Sequence, residues 1–249
     1  MIAFMPDQHL YLAREALLRT HSLCILTGAG ISAESGIATF RDALTGLWKN
    51  FKAEELATSE AFLANPKRVW EWYAWRREKV LAARPSPGHA ALVALERKCI
   101  ARDANFTLVT QNVDGLHQAA GNRNVIELHG NIRRVKCVDH HHPADTWPDS
   151  PVPPRCGQCG SLLRPDVVWF GESLPEDALE TAMRAARTCD VFLSVGTSTV
   201  VEPAASLPFL ARQAGATVIE VNTVATPLSS IAQISLRGSA GSILPDLAG

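Results

Sequence analysis

Cys137, Cys156 and Cys159 lie close together in a proline-rich stretch and have the residue type and grouping of metal ligands. The pattern is unlike the evenly distributed cysteine framework of a small disulfide-bonded domain. A second set of chemically useful residues is dispersed. Gly28-Ala29-Gly30-Ile31-Ser32, Gln111-Asn112, Gly196-Thr197-Ser198 and Asn222-Thr223 each follow a short apolar run. Small hydroxyl and amide side chains suit ribose hydroxyls, phosphates and a carboxamide. Glycines allow a backbone to approach a pyrophosphate, and a following helix N-terminus adds a favourable dipole. At any single position such residues are better explained by turns and helix caps. Four together favour a nucleotide-type ligand. Cys24, Cys99 and Cys189 sit singly among apolar residues and read as small buried hydrophobes.

The elements that position these groups follow from periodicity. Ser22 to Thr27, Phe106 to Thr110, Val191 to Val195 and Thr217 to Val221 are short apolar runs, expected as buried strands. Residues 7–20 have apolar positions at helical spacing, and Ala90–Lys98, Pro175–Thr188 and Pro203–Ala214 read as helices between strands. Strands alternating with helices imply right-handed crossovers and a parallel sheet covered on both faces. The fold class is α/β, with a Rossmann-like doubly wound core whose ligands would bind beyond the carboxyl ends of the strands. Residues 35–83 carry helical signals without a strand, and residues 131–167 hold the Cys and His cluster. Both are expected as insertions that form a smaller lobe within a single catalytic domain spanning residues 1–249.

At 249 residues, 47% hydrophobic and 20% charged, the composition is that of a globular chain with a sizeable core. A formal net charge of −1 gives no general attraction for nucleic acid or an anionic membrane. No apolar run reaches the roughly 20 residues of a membrane-spanning helix. The first residues lack the order of a signal peptide. A cytoplasmic, monomeric enzyme without regulatory tails is expected.

Six segments, taken in order, resemble the sirtuin family. They are Gly28-Ala29-Gly30-Ile31-Ser32, Gly36-Ile37-Ala38-Thr39-Phe40-Arg41, Thr110-Gln111-Asn112-Val113-Asp114-Gly115-Leu116-His117, Leu128-His129-Gly130, Val168-Trp169-Phe170-Gly171-Glu172 and Gly196-Thr197-Ser198. The resemblance implies a Rossmann-like domain beside a small lobe made of a helical module and a zinc module. It implies NAD-dependent removal of acyl groups from lysine in proteins or peptides, by way of an alkylimidate, giving nicotinamide, free lysine and 2′-O-acyl-ADP-ribose. By motif, His129, Asn112 and Asp114 would be the catalytic residues, with His129 as general base; an imidazole with an ordinary pKa of about 6.5 suits that task. The NAD site would comprise Gly28, Ala29, Gly30, Ser32, Phe40, Arg41, Gln111, Asn112, Asp114, Gly196, Thr197, Ser198, Asn222, Thr223 and Ala240. Val168, Trp169, Phe170, Gly171 and Glu172 resemble the segment that pairs with the substrate backbone.

Two further matches bear on the acyl group and the metal. Val69, Trp72, Tyr73, Arg76 and Val80 share a helix face, and Tyr73 and Arg76, three apart, are neighbours. Such a pair is ordinarily an aromatic stripe beside a solvated arginine. Here it resembles the Tyr-x-x-Arg signature of class III sirtuins, which remove succinyl, malonyl and glutaryl groups, and Ala57 matches their small pocket residue. The family usually has two Cys-x-x-Cys pairs. In this chain the first reads Cys137-Val138-Asp139-His140, so the zinc ligands expected are Cys137, His140, Cys156 and Cys159, with His141 or His142 as substitutes for His140. Three other functions fit parts of the pattern. An NAD-dependent oxidoreductase would need a hydride-acceptor site and an acidic residue ending the second strand, and neither is found. A silent NAD or ADP-ribose sensor is opposed by the presence of His129, Asn112 and Asp114. A sirtuin that is mainly a deacetylase differs only in its acyl end.

Overall fold

The computed structural model describes residues 6–37, 55–144, 146–148 and 152–249. Six strands form one parallel sheet: β1 (Ser22–Thr27), β2 (Asn105–Thr110), β3 (Val125–Glu127), β7 (Val191–Val195), β8 (Thr217–Asn222) and β9 (Ile234–Arg237). Their order is β3-β2-β1-β7-β8-β9, with every pairing parallel. The order reverses direction between β1 and β7, so the ligand crevice of a doubly wound fold should open there.

Alternation along the strands builds two separate cores. Leu23 and Ile25 face one side, with α1 (Pro6–Arg19), α4 (Pro87–Ala101) and α8 (Ala240–Ala248) packed over them. Cys24 and Leu26 face the other side, under α6 (Glu176–Thr188) and α7 (Leu207–Gln213). Burial on both faces explains why the central strands read as unbroken apolar runs. Strands β3 and β9 and helices α5 (Leu116–Ala120) and α8 extend the core beyond the four strands and the helices expected from periodicity. Cys24, Cys99 and Cys189 are all buried, as expected.

Beside the sheet lie α2 (Ser59–Ala64) and α3 (Pro66–Ala82), and a three-stranded antiparallel sheet of β4 (Gly130–Cys137), β5 (Pro143–Ala144) and β6 (Leu163–Val167). Asn65 caps α3 by accepting from the Arg68 amide, and Pro66 fills its first position, where a missing N–H costs nothing. One cluster joins the two modules: Leu56, Ala57, Phe62, Val69, Tyr73, Ile132, Val167 and Trp169. A second joins Trp70 to Val135, Cys137, Cys156 and Leu163. Helix α3 therefore uses two apolar faces, and Trp70 rather than Trp72 is the fully buried tryptophan of that helix.

Candidate active site and metal centre

At the β1–β7 switch point two backbone loops meet. The Gly28 amide donates to the Val195 carbonyl at 3.0 Å and the Gly30 amide to the Gly196 carbonyl at 2.8 Å. A Cβ on Gly30 would stand 2.6 Å from the Gly196 Cα, and one on Gly28 2.8 Å from the Thr197 Cα. These glycines are thus required by loop-on-loop packing. This differs from the expectation that their own amides face a pyrophosphate; the Ala29 amide is the one in this turn without an acceptor among the described residues.

The end of β2 supplies the next groups. Gln111 donates through Nε2 to Thr197 Oγ1 at 2.8 Å, tying two strand ends together. The Asn112 amide nitrogen reaches the Gly28 carbonyl and Ser32 Oγ, both at 3.1 Å. Ser32 in turn donates to Asp114 Oδ2 at 2.8 Å, and Asp114 Oδ1 accepts from the Leu116 amide at 2.8 Å. Asp114 is therefore buried but fully engaged, and its main-chain carbonyl is held by Arg133 Nε at 2.9 Å. On the far side, Asn222 Nδ2 donates to the Thr197 carbonyl at 2.8 Å. Gly28, Ser32, Gln111, Asn112, Asp114, Thr197 and Asn222 are thus joined in one polar rim, with Ser198 and Thr223 next to it in sequence. Ala240 packs its side chain into the α4–α8 contact beside Gly88, leaving only its backbone to a ligand. Phe40 and Arg41 lie outside the described residues.

His129 follows β3 and is half-buried beside this rim. Its Nδ1 is 2.9 Å from the Gln111 carbonyl, which can only accept, so Nδ1 carries the proton and Nε2 keeps its lone pair. Burial lowers the imidazole pKa below its ordinary value, and the Gln111 bond offsets part of that shift. The ring is aimed by Gly130, whose φ of 75° is left-handed and whose missing Cβ would run into the Asp166 carbonyl of the paired strand. Gly130→Ala is accordingly expected to lower stability by roughly 1–3 kcal/mol through strain and strand displacement, read by a thermal melt, and to lose activity along with it.

The segment 168–172 is not a strand of either sheet. Phe170 bridges to Thr58 in parallel fashion, and its amide donates to the Ala57 carbonyl at 2.9 Å. The Val168 amide donates to the His129 carbonyl at 2.9 Å, and the Trp169 amide to Glu172 Oε2 at 2.8 Å. Burial would raise the Glu172 carboxyl, but the Arg164 guanidinium and the Trp169 amide hold it below its usual range. Ala57, Tyr73 and Trp169 come together in one cluster, and the Arg76 guanidinium lies 4.8 Å from the Trp72 ring centroid and 5.7 Å from that of Tyr73. Burial lowers the Arg76 pKa, opposed by the charges of Tyr73 and Asp114; burial raises that of Tyr73.

In the small lobe, Cys137, His142, Cys156 and Cys159 bring their ligand atoms within 4.8 Å of one another. His142 takes the place expected for His140. The amides of both His140 and His142 donate to Cys137 Sγ, and the chain reverses at His141 with φ of 54°, so His142 is the histidine carried back over the thiols. The Cys137 and Cys159 sulfurs are 3.9 Å apart, and Cys156 Sγ is 3.8 Å from His142 Nδ1. Ligands about 2.3 Å from a tetrahedral zinc stand about 3.8 Å from one another. Donors around the knuckle, Ser161 foremost, lower the Cys159 thiol to about 6, toward the thiolate that zinc binds. This Cys₃His set fits structural zinc.

The Sir2 family model matches residues 28–203. The chain belongs to that family. A Sir2 relative from Aquifex aeolicus, named NAD-dependent protein deacylase, is 55% identical over 221 residues, covering 88% of this chain and 90% of the relative. NAD-dependent protein deacylase 1 of Archaeoglobus fulgidus is 50% identical, covering 94% and 96%. A solved Sir2 homologue in complex with NAD superposes with a TM-score of 0.88 at 48% identity, over 96% of this chain and 92% of the other. A Sir2 homologue bound to ADP-ribose gives a TM-score of 0.87 at 48% identity, over 94% and 93%. The Sir2 fold, a parallel Rossmann-like sheet with a metal-binding lobe, is thus the fold of this chain. Sequence reasoning missed Arg133, Arg164 and the Thr27–Thr110 hydroxyl pair, which hold the site from behind; isolated arginines and threonines carry no positional signal.

Proposed function

We propose that this NAD-dependent protein deacylase prefers acidic acyl groups on lysine, such as succinyl, malonyl and glutaryl, and removes acetyl more weakly. The observation that carries the proposal is the Tyr73–Arg76 pair: Tyr73 packs in the small-lobe cluster with Ala57, and the Arg76 guanidinium lies 5.7 Å from the centre of its ring. Burial works against the Arg76 charge, and a carboxylate from the acyl group would restore it with a charge-assisted, bidentate partner. An acetyl methyl offers no such interaction, and sites built for a polar group discriminate against ligands that lack it.

The reaction balances as acyl-lysine, NAD and water giving lysine, nicotinamide and 2′-O-acyl-ADP-ribose. Bound NAD supplies the ribose carbon from which nicotinamide leaves and the hydroxyl that takes the acyl group. In this reading Asn112 and Asp114 hold the nicotinamide end, with Ser32 bonded between them, and Gln111, Thr197 and Asn222 shape the ribose and phosphate side. His129, its Nε2 lone pair available, takes a proton from a ribose hydroxyl. The peptide would lie along residues 168–172. The amides of Val168, Trp169 and Phe170 are already engaged, whereas the Val168 carbonyl and Gly171 amide have no backbone partner among the described residues and would receive it. Backbone pairing reads little side-chain sequence, so many protein substrates are expected.

The test compares kcat/KM on succinyl- and acetyl-lysine forms of one peptide. The wild-type enzyme is expected to favour succinyl. Arg76→Met is expected to lower the succinyl-to-acetyl ratio about 10- to 100-fold, the weight of a hydrogen bond to a charged group. A ratio that Arg76→Met leaves unchanged overturns the acidic preference.

A further inference from the structure

Trp169 belongs by sequence to the peptide segment, yet its side chain turns inward. It is 2% exposed, and its indole N–H donates to the Tyr73 hydroxyl oxygen at 3.0 Å; Tyr73 is 3% exposed. An indole nitrogen can only donate, so the phenol oxygen is the acceptor in this bond and the phenol proton must point elsewhere. No acceptor for that proton exists among the described residues. A buried donor left unpaired is costly, so the site is poised for a ligand atom that accepts.

The indole has little freedom to turn away. The Arg164 guanidinium lies 3.3 Å from its ring centroid, and the Phe62 ring 5.3 Å. Arg164 is itself fixed: Nη2 reaches Glu172 Oε2 at 3.0 Å and the Val167 carbonyl at 2.8 Å, and Nη1 bonds the other Glu172 oxygen. Glu172 also receives Ser59 Oγ at 2.8 Å and the Trp169 amide. One ion pair, of a buried arginine with a half-buried glutamate, therefore holds both the backbone and the ring of Trp169.

We propose that Trp169 is a specificity-determining residue. Its N–H fixes the Tyr73 hydroxyl as a donor aimed at the acyl terminus, and the Arg164–Glu172 pair positions the indole for this. The ligand class selected is an acyl chain ending in an acceptor-only group, a carboxylate, with Arg76 supplying charge and Tyr73 supplying polarity. This inference rests on the acidic-acyl reading above.

A double-mutant cycle on the succinyl-to-acetyl ratio tests it. Trp169→Phe keeps a ring for Arg164 to stack on and removes only the N–H. Tyr73→Phe removes the donor that the N–H orients. Each single variant is expected to lower the ratio about fivefold, the weight of one hydrogen bond. Trp169→Phe in the Tyr73→Phe background is expected to add nothing, because both act through one bond. The ratio, taken on one peptide, is independent of how much enzyme is active and cancels any shared loss in peptide docking. The proposal is overturned if Trp169→Phe leaves the ratio unchanged, or if its full effect recurs without the Tyr73 hydroxyl. Wild type and Arg76→Met, run alongside, judge the acidic reading separately. A wild-type preference for succinyl that Arg76→Met abolishes and Trp169→Phe spares removes this inference alone. Absence of that preference in the wild type removes both.

Discussion

His129→Ala is expected to lower deacylation by about 10²- to 10⁴-fold, the usual contribution of a positioned general base. The magnitude follows from how little else can do the task. The Nδ1–H bond to the Gln111 carbonyl fixes the ring orientation and leaves Nε2 as the basic atom. The neighbouring side chains of Asn112 and Ser32 are occupied with each other and with Asp114. Partial burial lowers the His129 pKa, so the neutral form dominates at neutral pH. The sign of the pH dependence follows: kcat/KM should be flat near pH 7 and decline only as pH falls through a value below 6.5. An alanine variant lacks that limb. Mass-spectrometric detection of 2′-O-acyl-ADP-ribose across pH measures both effects. A variant with more than about a tenth of wild-type activity, or a wild-type limb above 6.5, would show that another group takes the proton.

The crevice was legible in the sequence because burial on both faces writes a parallel strand as an apolar run that stops abruptly at small polar residues. Thr27, Thr110, Val195 and Val221 close such runs, and the residues after them meet in space. The sheet's edges were not legible for the converse reason. Strand β3 has three residues, too few for a period to register. Strand β9 alternates, with Ile234 and Leu236 buried, while Ser235 and Arg237 bond the buried carboxylate of Glu220 on β8. That pairing is visible only once the two strands are adjacent. Helix α8 carries Pro245 and begins Ala-Gly-Ser, which by propensity reads as a loop; its packing on α4 overrides that preference. His142 was masked by spacing logic. A knuckle whose amides fold back on a thiolate brings the fifth residue, not the third, to the metal, and that depends on the left-handed turn at His141. The inward turn of Trp169 depends likewise on Arg164, five residues away and without any motif of its own.

Chelating the zinc is expected to disable catalysis while leaving the large sheet folded. The two clusters that flank the sheet contain no residue of the zinc module, so their burial does not depend on the metal. The module has far less to hold it. Strand β5 is two residues long, and of the five buried residues around the knuckle two, Cys137 and Cys156, are themselves ligands. Structural zinc in small modules supplies apparent binding free energies of about 10–16 kcal/mol, which here would substitute for the missing apolar core. Its loss should free Trp147 from its stack on Trp70, whose ring centroid is 4.6 Å away, and from Arg77, 5.0 Å from its ring. Strands β4 and β6 are the most extensively paired part of the lobe; with Gly130 opposite Val167, they carry Gly130 and lead into Trp169 at the same end, while Cys137 lies at the other. Their loosening displaces His129 and the acyl end together. A strong chelator should therefore red-shift tryptophan fluorescence and abolish deacylation while ADP-ribose binding and the main thermal transition persist, and added zinc should reverse the change. Loss of the main transition on chelation would show that the metal supports the whole fold instead. The ligand assignment separates the histidines: His142→Ala should reproduce the chelated state, and His140→Ala, whose ring stands outside the ligand cluster, should keep its zinc and its turnover.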